Sequence, residues 1–326
     1  MSAPVQPPLE QSSALAQEDR KRHLNAIVLK GLPPFPQTAL ELSKVLGGAS
    51  PDMKKAGKLI RTDPTLSSQV LRMCNSPMFG LRTRVISIEQ AAVLLGTDRL
   101  RNLALTTSMV DFAGKALPQS QMDSFWQHSF MAALLSEFLA KRREYFEKDQ
   151  AYIAGLLHDI GQIPQWMLLA EDKGKSEAPP AGWMDNPRIE QEYFGIDHCE
   201  LGSTMAGSWD FLPSFLDALD NHHTPELAQH DSILVRMVAT VEYFLLAKDQ
   251  MIPVSSEDLP PSAEGVQLFE KTEGYEPLHQ QVANLGVGLF DEIEWPYVEE
   301  ALEEEYARIV PIVKTGLRGV LAKGEN

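Results

Sequence analysis

The apolar residues of this chain recur mainly at the three- and four-residue spacing of α-helices. One early helix is predicted to end at Gly47 and Gly48, and its apolar face consists of Ala39, Leu42, Val45 and Leu46. The same spacing runs through a second helical block between Met122 and Leu246, and no convincing series of strands interrupts it. We therefore predict an almost entirely α-helical chain.

Polar and proline-rich stretches divide the chain into predicted parts. The first 18 residues are rich in Pro, Ser, Gln and Ala, which is typical of a flexible tail. A linker is predicted from Pro253 to Ser262, and the helical stretch beyond it is dense in Asp and Glu between residues 291 and 305. The predicted parts are a flexible tail over residues 1–18, a helical domain over 19–250 with subdomains at 19–115 and 116–250, and a linker with an acidic helical extension over 251–326.

Charge, apolar runs and cysteine content argue against a nucleic-acid-binding, membrane-spanning, secreted or disulfide-bonded protein. The chain of 326 residues carries 29 basic and 45 acidic residues, a net charge of −16, and this field opposes binding to nucleic acid. No apolar run approaches the about 20 residues of a membrane span. Residues 1–20 lack the pattern of a signal peptide. Since Cys74 and Cys199 are the sole cysteines, we predict a cytoplasmic protein without disulfides.

The segment from Ala151 to Gln162 carries the strongest candidate chemistry. It places His158 and Asp159 directly after an apolar helical run and just before a glycine. An adjacent imidazole and carboxylate offer one nitrogen and one oxygen, a combination that suits iron, manganese or zinc. Side chains on other predicted helices could join this pair inside a helical bundle; they are His128, His198, His222 and His223.

Separate structural roles are an alternative interpretation of these histidines, because an imidazole has many uses besides binding metal. We favour a common cluster, since the set includes the adjacent His158 and Asp159. Cys199, beside His198, could be a ligand or a reactive thiol, although a cysteine is more often a small buried apolar residue. The sequence leaves these alternatives open.

The ordered set of histidines resembles the HD superfamily of metal-dependent phosphohydrolases. Segments of the N-terminal part narrow the resemblance to the HDOD family, the HD-related output domain; they are Leu32-Pro-Pro-Phe-Pro36, Ile60-Arg-Thr-Asp63-Pro64-Thr-Leu66, Leu71-Arg-Met-Cys-Asn75-Ser76-Pro77 and Ala92-Val-Leu-Leu-Gly96. The resemblance covers approximately residues 25–245. It implies a bacterial, all-α signalling protein, in which an N-terminal helical subdomain precedes an HD-like helical bundle at residues 116–250.

The resemblance also implies a metal site and two departures from the catalytic pattern. The implied ligands of a divalent ion are His128, His158, Asp159, His198, His222 and His223. Enzymes of the superfamily carry a further Asp ligand on a late helix, and Thr240 stands where we expect that residue. Glu242 is two residues further on, so we expect it to point to a different helix face. A Gly-Tyr-Pro motif, found in relatives that hydrolyse cyclic di-GMP, is absent after His222-His223.

Two functions remain compatible with these residues. We favour a regulatory signal-transduction module that acts through a protein partner and retains a metal site, because Thr240 replaces a ligand acid. The alternative is a metal-dependent phosphohydrolase or cyclic-dinucleotide phosphodiesterase, which the retained histidines and Asp159 favour. We expect the acidic extension to attract the partner at low salt, and its deletion to leave the helical core folded.

Overall fold

The regular structure of the chain is helical throughout the residues that the computed structural model describes. These are residues 9–28, 41–42, 45, 52–62, 64–75, 83–96, 100, 104, 119–146, 148–172, 179–180, 183–209, 211–248 and 278–321. The first helices are α1 (Leu9–Ala26), α2 (Met53–Thr62), α3 (Pro64–Cys74) and α4 (Ile88–Leu95). They are followed by α5 (Gln119–Arg142), α6 (Lys148–Leu157), α7 (Gln162–Asp172), α8 (Pro187–Phe194), α9 (His198–Ser208), α10 (Pro213–Asn221), α11 (Ser232–Ala247), α12 (Leu278–Leu289) and α13 (Trp295–Leu321). No strand occurs in the described ranges, so the prediction of an all-α fold is confirmed.

The long helix α5 forms the centre of the bundle and contacts α6, α11 and α13. Its inner face is fully buried at Trp126, Met131 and Leu135. Helix α6 approaches α5 closely because Gly155 has no side chain: a Cβ there would lie 2.7 Å from both the Ala132 carbonyl oxygen and Ser136 Oγ. This close packing brings the C-terminal end of α6 to the side chains that α5 directs inward.

Side-chain caps fix where the helices of the second half begin. Asn186, Asp197 and Asp231 each accept a hydrogen bond from the backbone N–H three residues further on, at the starts of α8, α9 and α11. A cap of this kind contributes about 1 kcal/mol to stability. The Asp197 cap also sets the position of His198, which is the first residue of α9.

Residues 9–18 belong to α1, so the prediction of a flexible tail over residues 1–18 is wrong for this stretch. Gln17 Nε2 donates a hydrogen bond to the Gln191 carbonyl oxygen at 2.7 Å. Arg20 Nε donates to the Tyr193 carbonyl oxygen at 2.6 Å, and its guanidinium lies 4.1 Å from the centre of the Tyr193 ring. These contacts with α8 stabilise α1, whose polar composition does not predict a packed helix. Residues 1–8 lie outside the described residues.

The acidic extension packs into the core through α12 and α13. Helix α12 contacts α11, and α13 contacts α3 and α5. Glu303 forms an ion pair with Lys248, Tyr306 packs on the edge of Phe244, and the buried apolar face of α13 includes Val298, Leu302, Ile309 and Val313. Burying each such side chain contributes about 1.5–3 kcal/mol, so deletion of the extension would expose part of the core. This packing argues against the expectation that the core stays folded without the extension.

The predicted divisions after residues 115 and 250 fall outside the described residues, as does the stretch 251–277 that contains the predicted linker. Among the helices that are described, none combines the length and the apolar character required to cross a membrane.

Candidate metal centre

His158 and Asp159 form the turn between α6 and α7, and this turn lies directly against the start of α9. Gly161 makes the contact possible, because a Cβ at this position would overlap the His198 carbonyl oxygen and lie 2.7 Å from the Gly202 nitrogen. A side chain at residue 161 would therefore separate the turn from α9. The glycine of the predicted motif brings the His-Asp pair to His198.

We call His128, His158, Asp159 and Glu242 the first cluster. Glu242 Oε2 lies 3.0 Å from His128 Nε2 and 2.9 Å from His158 Nε2, and the two Nε2 atoms lie 3.1 Å apart. Asp159 Oδ2 lies 3.4 Å from each of these nitrogens. Helices α5 and α11 and the α6–α7 turn thus direct four donor atoms to one buried point.

We call His198, Cys199, His222, His223 and Asp185 the second cluster. The Nε2 atoms of His198 and His222 lie 3.2 Å apart, and Cys199 Sγ lies 3.5 Å from the first and 3.9 Å from the second. Asp185 Oδ1 lies 3.3 Å from His223 Nε2 and 3.7 Å from His198 Nε2. Three imidazoles and a thiol therefore surround a second buried point, and the Asp185 carboxylate lies beside two of these imidazoles, those of His198 and His223.

Asp159 joins the two clusters. Its Oδ2 faces the first cluster, whereas its Oδ1 lies 3.4 Å from His198 Nε2 and 3.6 Å from His222 Nε2 in the second. A carboxylate that offers one oxygen to each of two points can bridge two metal ions.

Hydrogen bonds at the outer ring nitrogens fix three of the imidazoles. Nδ1 donates to the Gly155 carbonyl oxygen in His158, to the Leu219 carbonyl oxygen in His222, and to the Glu190 carboxylate in His198, at 2.9, 2.8 and 2.8 Å. Metal-bound histidines are usually held in this way, because the bond fixes the tautomer and directs the free Nε2 lone pair at the ion.

When Nδ1 carries the proton, the close contacts that the inner Nε2 atoms make with each other and with Glu242 are unfavourable unless a cation lies between them. A neutral His198 and a neutral His222 that both donate from Nδ1 present two Nε2 lone pairs to each other at 3.2 Å. His158 Nε2 meets the Glu242 carboxylate in the same manner. Either a proton or a metal ion resolves each contact.

The spacing of the donor atoms fits a metal ion. Ligand atoms at about 2.0–2.1 Å from an ion lie roughly 2.8–3.4 Å apart in octahedral or tetrahedral geometry. Several buried polar atoms also lack a hydrogen-bond partner in the described structure, among them Asp159 Oδ1, Glu242 Oε1, His223 Nε2 and both Asp185 oxygens. An unpaired buried polar atom costs about 1–3 kcal/mol, and coordination would remove this cost. The two clusters can therefore hold metal ions.

The first cluster carries charge even without an ion. Burial lowers the pKa of His128, but the Glu242 carboxylate outweighs burial and raises this pKa to about 9. Burial raises the pKa of Glu242, and His128 and His158 outweigh it, so the pKa of Glu242 falls well below its usual value. The imidazoles of the first cluster thus take up a proton as the counter-charge of the carboxylates.

The groups of the second cluster differ in the form that their surroundings favour. Burial lowers the pKa of His198, but interactions with Cys199 and Glu190 outweigh burial and raise this pKa well above its usual value. Burial, assisted by the charge of His223, lowers the pKa of His222 to about 3, so its ring is neutral. Burial also raises the pKa of the Cys199 thiol to about 12. The pKa of Asp185 rises to about 7, because burial and the charges of Glu242 and Asp159 disfavour its ionised form. Binding of a cation would favour the ionised thiol and carboxylate instead.

All six residues predicted from the sequence lie in these clusters. His128, His158 and Asp159 belong to the first cluster, and His198, His222 and His223 to the second. The structure therefore brings the predicted residues together, and their binding of metal stays a prediction. The sequence did not predict the contributions of Asp185 and Glu190. Glu190 gave little signal because it lies in a polar segment.

The prediction that residue 240 is the position of the acidic ligand on the late helix is wrong. Thr240 Oγ1 donates a hydrogen bond to the Arg236 carbonyl oxygen within α11, whereas Glu242 enters the first cluster. Helix α11 is buried on nearly all sides, so its apolar pattern does not reveal which face meets the histidines. A signal was present, since Glu242 is the single carboxylate within this otherwise apolar helix.

A family profile and several solved structures are similar to this chain. Residues 32–225 match the sequence profile of the HDOD domain. An HDOD domain protein of unknown function from Geobacter sulfurreducens is similar over 94% of this chain and 99% of that chain, with 19% identity and a TM-score of 0.67. A Shewanella amazonensis SB2B protein, described provisionally as a phosphohydrolase, is similar over 91% of this chain and 98% of that chain, with 23% identity and a TM-score of 0.61. These likenesses show a shared fold.

Two curated relatives, both uncharacterized, match part of the chain. A Treponema pallidum protein is 24% identical over 246 residues, which are 71% of this chain and 45% of that protein. The Bacillus subtilis protein YuxH is 28% identical over 144 residues, which are 42% of this chain and 35% of that protein. The matched region thus spans less than half the length of either relative.

Proposed function

The chain belongs to the HDOD family, and we propose that it is a regulatory signal-transduction module built around a buried two-metal centre. The observation that carries this proposal is the 3.2 Å separation of the inner Nε2 atoms of His198 and His222, whose outer Nδ1 atoms both donate hydrogen bonds. Two imidazoles held in this way are arranged for a common cation. A solved Marinobacter aquaeolei VT8 structure, described provisionally as a signal transduction protein, has the same fold, with 20% identity and a TM-score of 0.65 over 96% of this chain and 67% of that chain.

Burial of the centre favours a regulatory role over catalysis. His158, His198, His222 and Glu242 are completely buried, and Asp159 is 2% exposed. A catalytic metal site keeps a coordination position open to its substrate, whereas a structural site is closed by protein ligands. Because the protein atoms surround both points, the ions would order α5, α6, α9, α10 and α11 into one arrangement that a partner can recognise.

The donor atoms indicate which metals the centre would accept. The first cluster offers two nitrogens and two carboxylates, a set that suits iron or manganese, and the second adds a thiol, which favours zinc. When bound in such a site with a free position, a divalent ion acts as a Lewis acid on a phosphoryl oxygen.

Metal analysis tests the proposal directly. Protein purified without chelators, or reconstituted with Mn²⁺, Fe²⁺ or Zn²⁺, should contain about two ions per chain by inductively coupled plasma mass spectrometry. His158→Ala and His222→Ala should each lose about one of them, and His230→Ala is the matched control because this histidine is exposed. Protein that holds no stoichiometric metal under any of these conditions would contradict the proposal.

A metal-dependent phosphohydrolase is the second candidate, and Glu242 is the observation that favours it. This residue supplies a carboxylate to the first cluster, although Thr240 stands where the ligand Asp was expected, and its contacts with His128 and His158 support a full set of ligands there. Hydrolysis of cyclic di-GMP and of bis(p-nitrophenyl) phosphate should be measured with metal-loaded protein. We expect no steady turnover, and turnover that disappears in Asp159→Ala would establish the enzyme instead.

A protein is the proposed partner of the module. The exposed turn before α13 and the first residues of α13 combine acidic side chains at Glu292 and Glu294 with apolar ones at Ile293 and Tyr297, which are 78% and 71% exposed. Such a surface fits a partner that is basic and partly apolar. Glu292→Lys with Glu294→Lys should weaken co-purification of the partner more at low salt than at high salt, whereas tight binding of DNA at physiological salt would contradict the proposal.

A further inference from the structure

Asp185 lies on a short turn that is anchored on both sides. Before it, Trp183 is buried and its ring packs against Trp166 and Phe194, with ring centres 5.2 and 5.4 Å apart. After it, Asn186 caps α8 by accepting a hydrogen bond from the Ile189 N–H. The turn is thus fixed at residues 183 and 186, and Asp185, which lies between these anchors, is directed into the bundle.

The side chain of Asp185 is completely buried in the second cluster and has no hydrogen bond at either oxygen. The groups that face it are His223 Nε2 at 3.3 Å and His198 Nε2 at 3.7 Å. Its position also matches a ligand group formed with Asp159 and His198. A buried carboxylate whose oxygens have no hydrogen bond is unfavourable unless it takes up a proton or lies beside a cation.

The backbone of Asp185 adopts a conformation that few residues tolerate. Its φ is +56°, in the left-handed region where a Cβ is unfavourable and where glycine, asparagine and aspartate are preferred. The chain therefore maintains an uncommon conformation at the one residue of this turn whose carboxylate reaches the second cluster. The backbone conformation thus restricts residue 185 to a few residue types, and among glycine, asparagine and aspartate only aspartate brings a carboxylate to this position.

We propose that Asp185 is an internal ligand that occupies the coordination position which a phosphate oxyanion would need at the second metal ion. This inference rests on the proposed two-metal centre. A carboxylate and a phosphate both bind divalent ions through anionic oxygens, so they compete for one position. With Asp185 in place, the second cluster is closed by its own chain, and phosphate or a phosphoester is excluded.

The conformation at residue 185 also defines the variants that test this role. Asp185→Gly removes the carboxylate and relieves the backbone, whereas Asp185→Asn keeps the shape and tolerates a positive φ but has no charge. Alanine would add strain and is therefore a poorer choice. Glu144→Gly is the matched control, because Glu144 also has a positive φ, of 54°, and is exposed.

The experiment loads each protein with Zn²⁺ or Mn²⁺ and measures three quantities: ions per chain, the rate of ion release to a chelator, and binding of inorganic phosphate by calorimetry. We expect the wild type and Glu144→Gly to hold two ions and to bind no phosphate. Asp185→Gly should bind phosphate and release one ion about tenfold faster. Asp185→Asn should release that ion faster than the wild type while it binds phosphate less than the glycine variant.

The outcomes separate this inference from the proposed function. An Asp185→Gly protein that holds two ions, releases them at the wild-type rate and excludes phosphate would overturn the role of Asp185 and leave the metal centre intact. Phosphate binding by the wild type equal to that of Asp185→Gly would do the same. A wild type that takes up no metal overturns both. If Asp185→Gly does not fold, as judged by circular dichroism, the ion-release rate of Asp185→Asn decides the question.

Discussion

The two clusters of the centre differ in how the protein compensates their buried charges. In the first cluster one Glu242 oxygen contacts both His128 and His158, and the imidazoles supply the compensating positive charge. Both clusters leave buried polar atoms without a hydrogen-bond partner in the described structure: His128 Nδ1 and Glu242 Oε1 in the first, and His223 Nε2 and both Asp185 oxygens in the second. The first cluster compensates its carboxylates with imidazoles, whereas in the second burial keeps His222 neutral and disfavours the ionised form of Asp185, so we expect the second to depend more on a metal ion.

The largest expected effect comes from breaking the first cluster at Glu242. Removing one partner of a buried charged network leaves the other charges uncompensated, so Glu242→Ala should lower the free energy of unfolding by about 3–5 kcal/mol. It should also remove the metal ion of the first cluster. Urea denaturation and metal analysis measure the two effects.

Thr240→Val is the matched control for this variant, because Thr240 lies on the same helix and makes its hydrogen bond within that helix. Its effect should be well below that of Glu242→Ala. Comparable losses in the two variants would show that Glu242 has no special role in the cluster.

Removal of metal should affect the second cluster more than the first. At a free-ion concentration of 100 times the dissociation constant, binding stabilises a protein by about 2.7 kcal/mol, and a chelator removes this contribution. Hydrogen exchange should then accelerate in α9 and α10, which carry His198 and His222, more than in α5 and α6. Uniform acceleration along the chain would contradict the comparison.

Cys199 should set the metal preference of the second cluster. A thiolate favours zinc, whereas a hydroxyl is a weak ligand, so Cys199→Ser should reduce zinc affinity by about tenfold, or 1.4 kcal/mol, and reduce manganese affinity less. Competition titrations with a chromophoric chelator measure both affinities. Cys74→Ser is the control, because Cys74 is also buried but lies on α3. Unchanged zinc affinity in Cys199→Ser would exclude the thiol as a ligand.

The smallest expected effect concerns Asp217, which fixes the chain between α10 and α11. Its carboxylate accepts hydrogen bonds from the backbone N–H groups of Gln229, His230 and Asp231. Burial raises the pKa of Asp217, but these bonds outweigh burial and lower it. The stability that the carboxylate contributes is therefore present above the unfolded pKa of about 3.9 and is lost as the pH falls through the folded pKa.

Asp217→Asn should accordingly cost about 1 kcal/mol at pH 7, the contribution of a typical hydrogen bond, and the difference from the wild type should vanish in acid. Thermal unfolding at several pH values measures this difference. A difference that stays constant down to acid pH would show that the charge of Asp217 does not contribute.

The sequence predicts those parts of the centre that depend on local spacing. His158, Asp159 and Gly161 are adjacent along the chain, and their helical surroundings follow from apolar periodicity. Glu242 was assigned to the wrong face because α11 is buried on nearly all sides. Asp185 was not found because Asp-Asn-Pro has the ordinary pattern of a turn, and the direction of this turn depends on the packing of Trp183.

The positions of α1 and of the acidic extension could not be predicted from the sequence either. Helix α1 is polar, and the contacts of Gln17 and Arg20 with α8 involve residues more than 170 positions away. The acidic side chains of α13 indicate an exposed helix, yet its opposite face, with Leu302 and Val313, is completely buried. Contacts between distant segments determine both placements, and a single sequence carries little information about them.

The position of Asp159 between the clusters has a thermodynamic consequence. Because one carboxylate would serve both ions, the two binding equilibria are linked, and each ion must change the affinity for the other by the same factor. Two effects of opposite sign contribute: the first ion orients Asp159 for the second, but it also neutralises part of the charge that attracts it. The balance of these effects determines whether the protein fills gradually over a wide range of metal concentration or abruptly over a narrow one. In a regulatory module, this single side chain would thus set the steepness of the response to available metal.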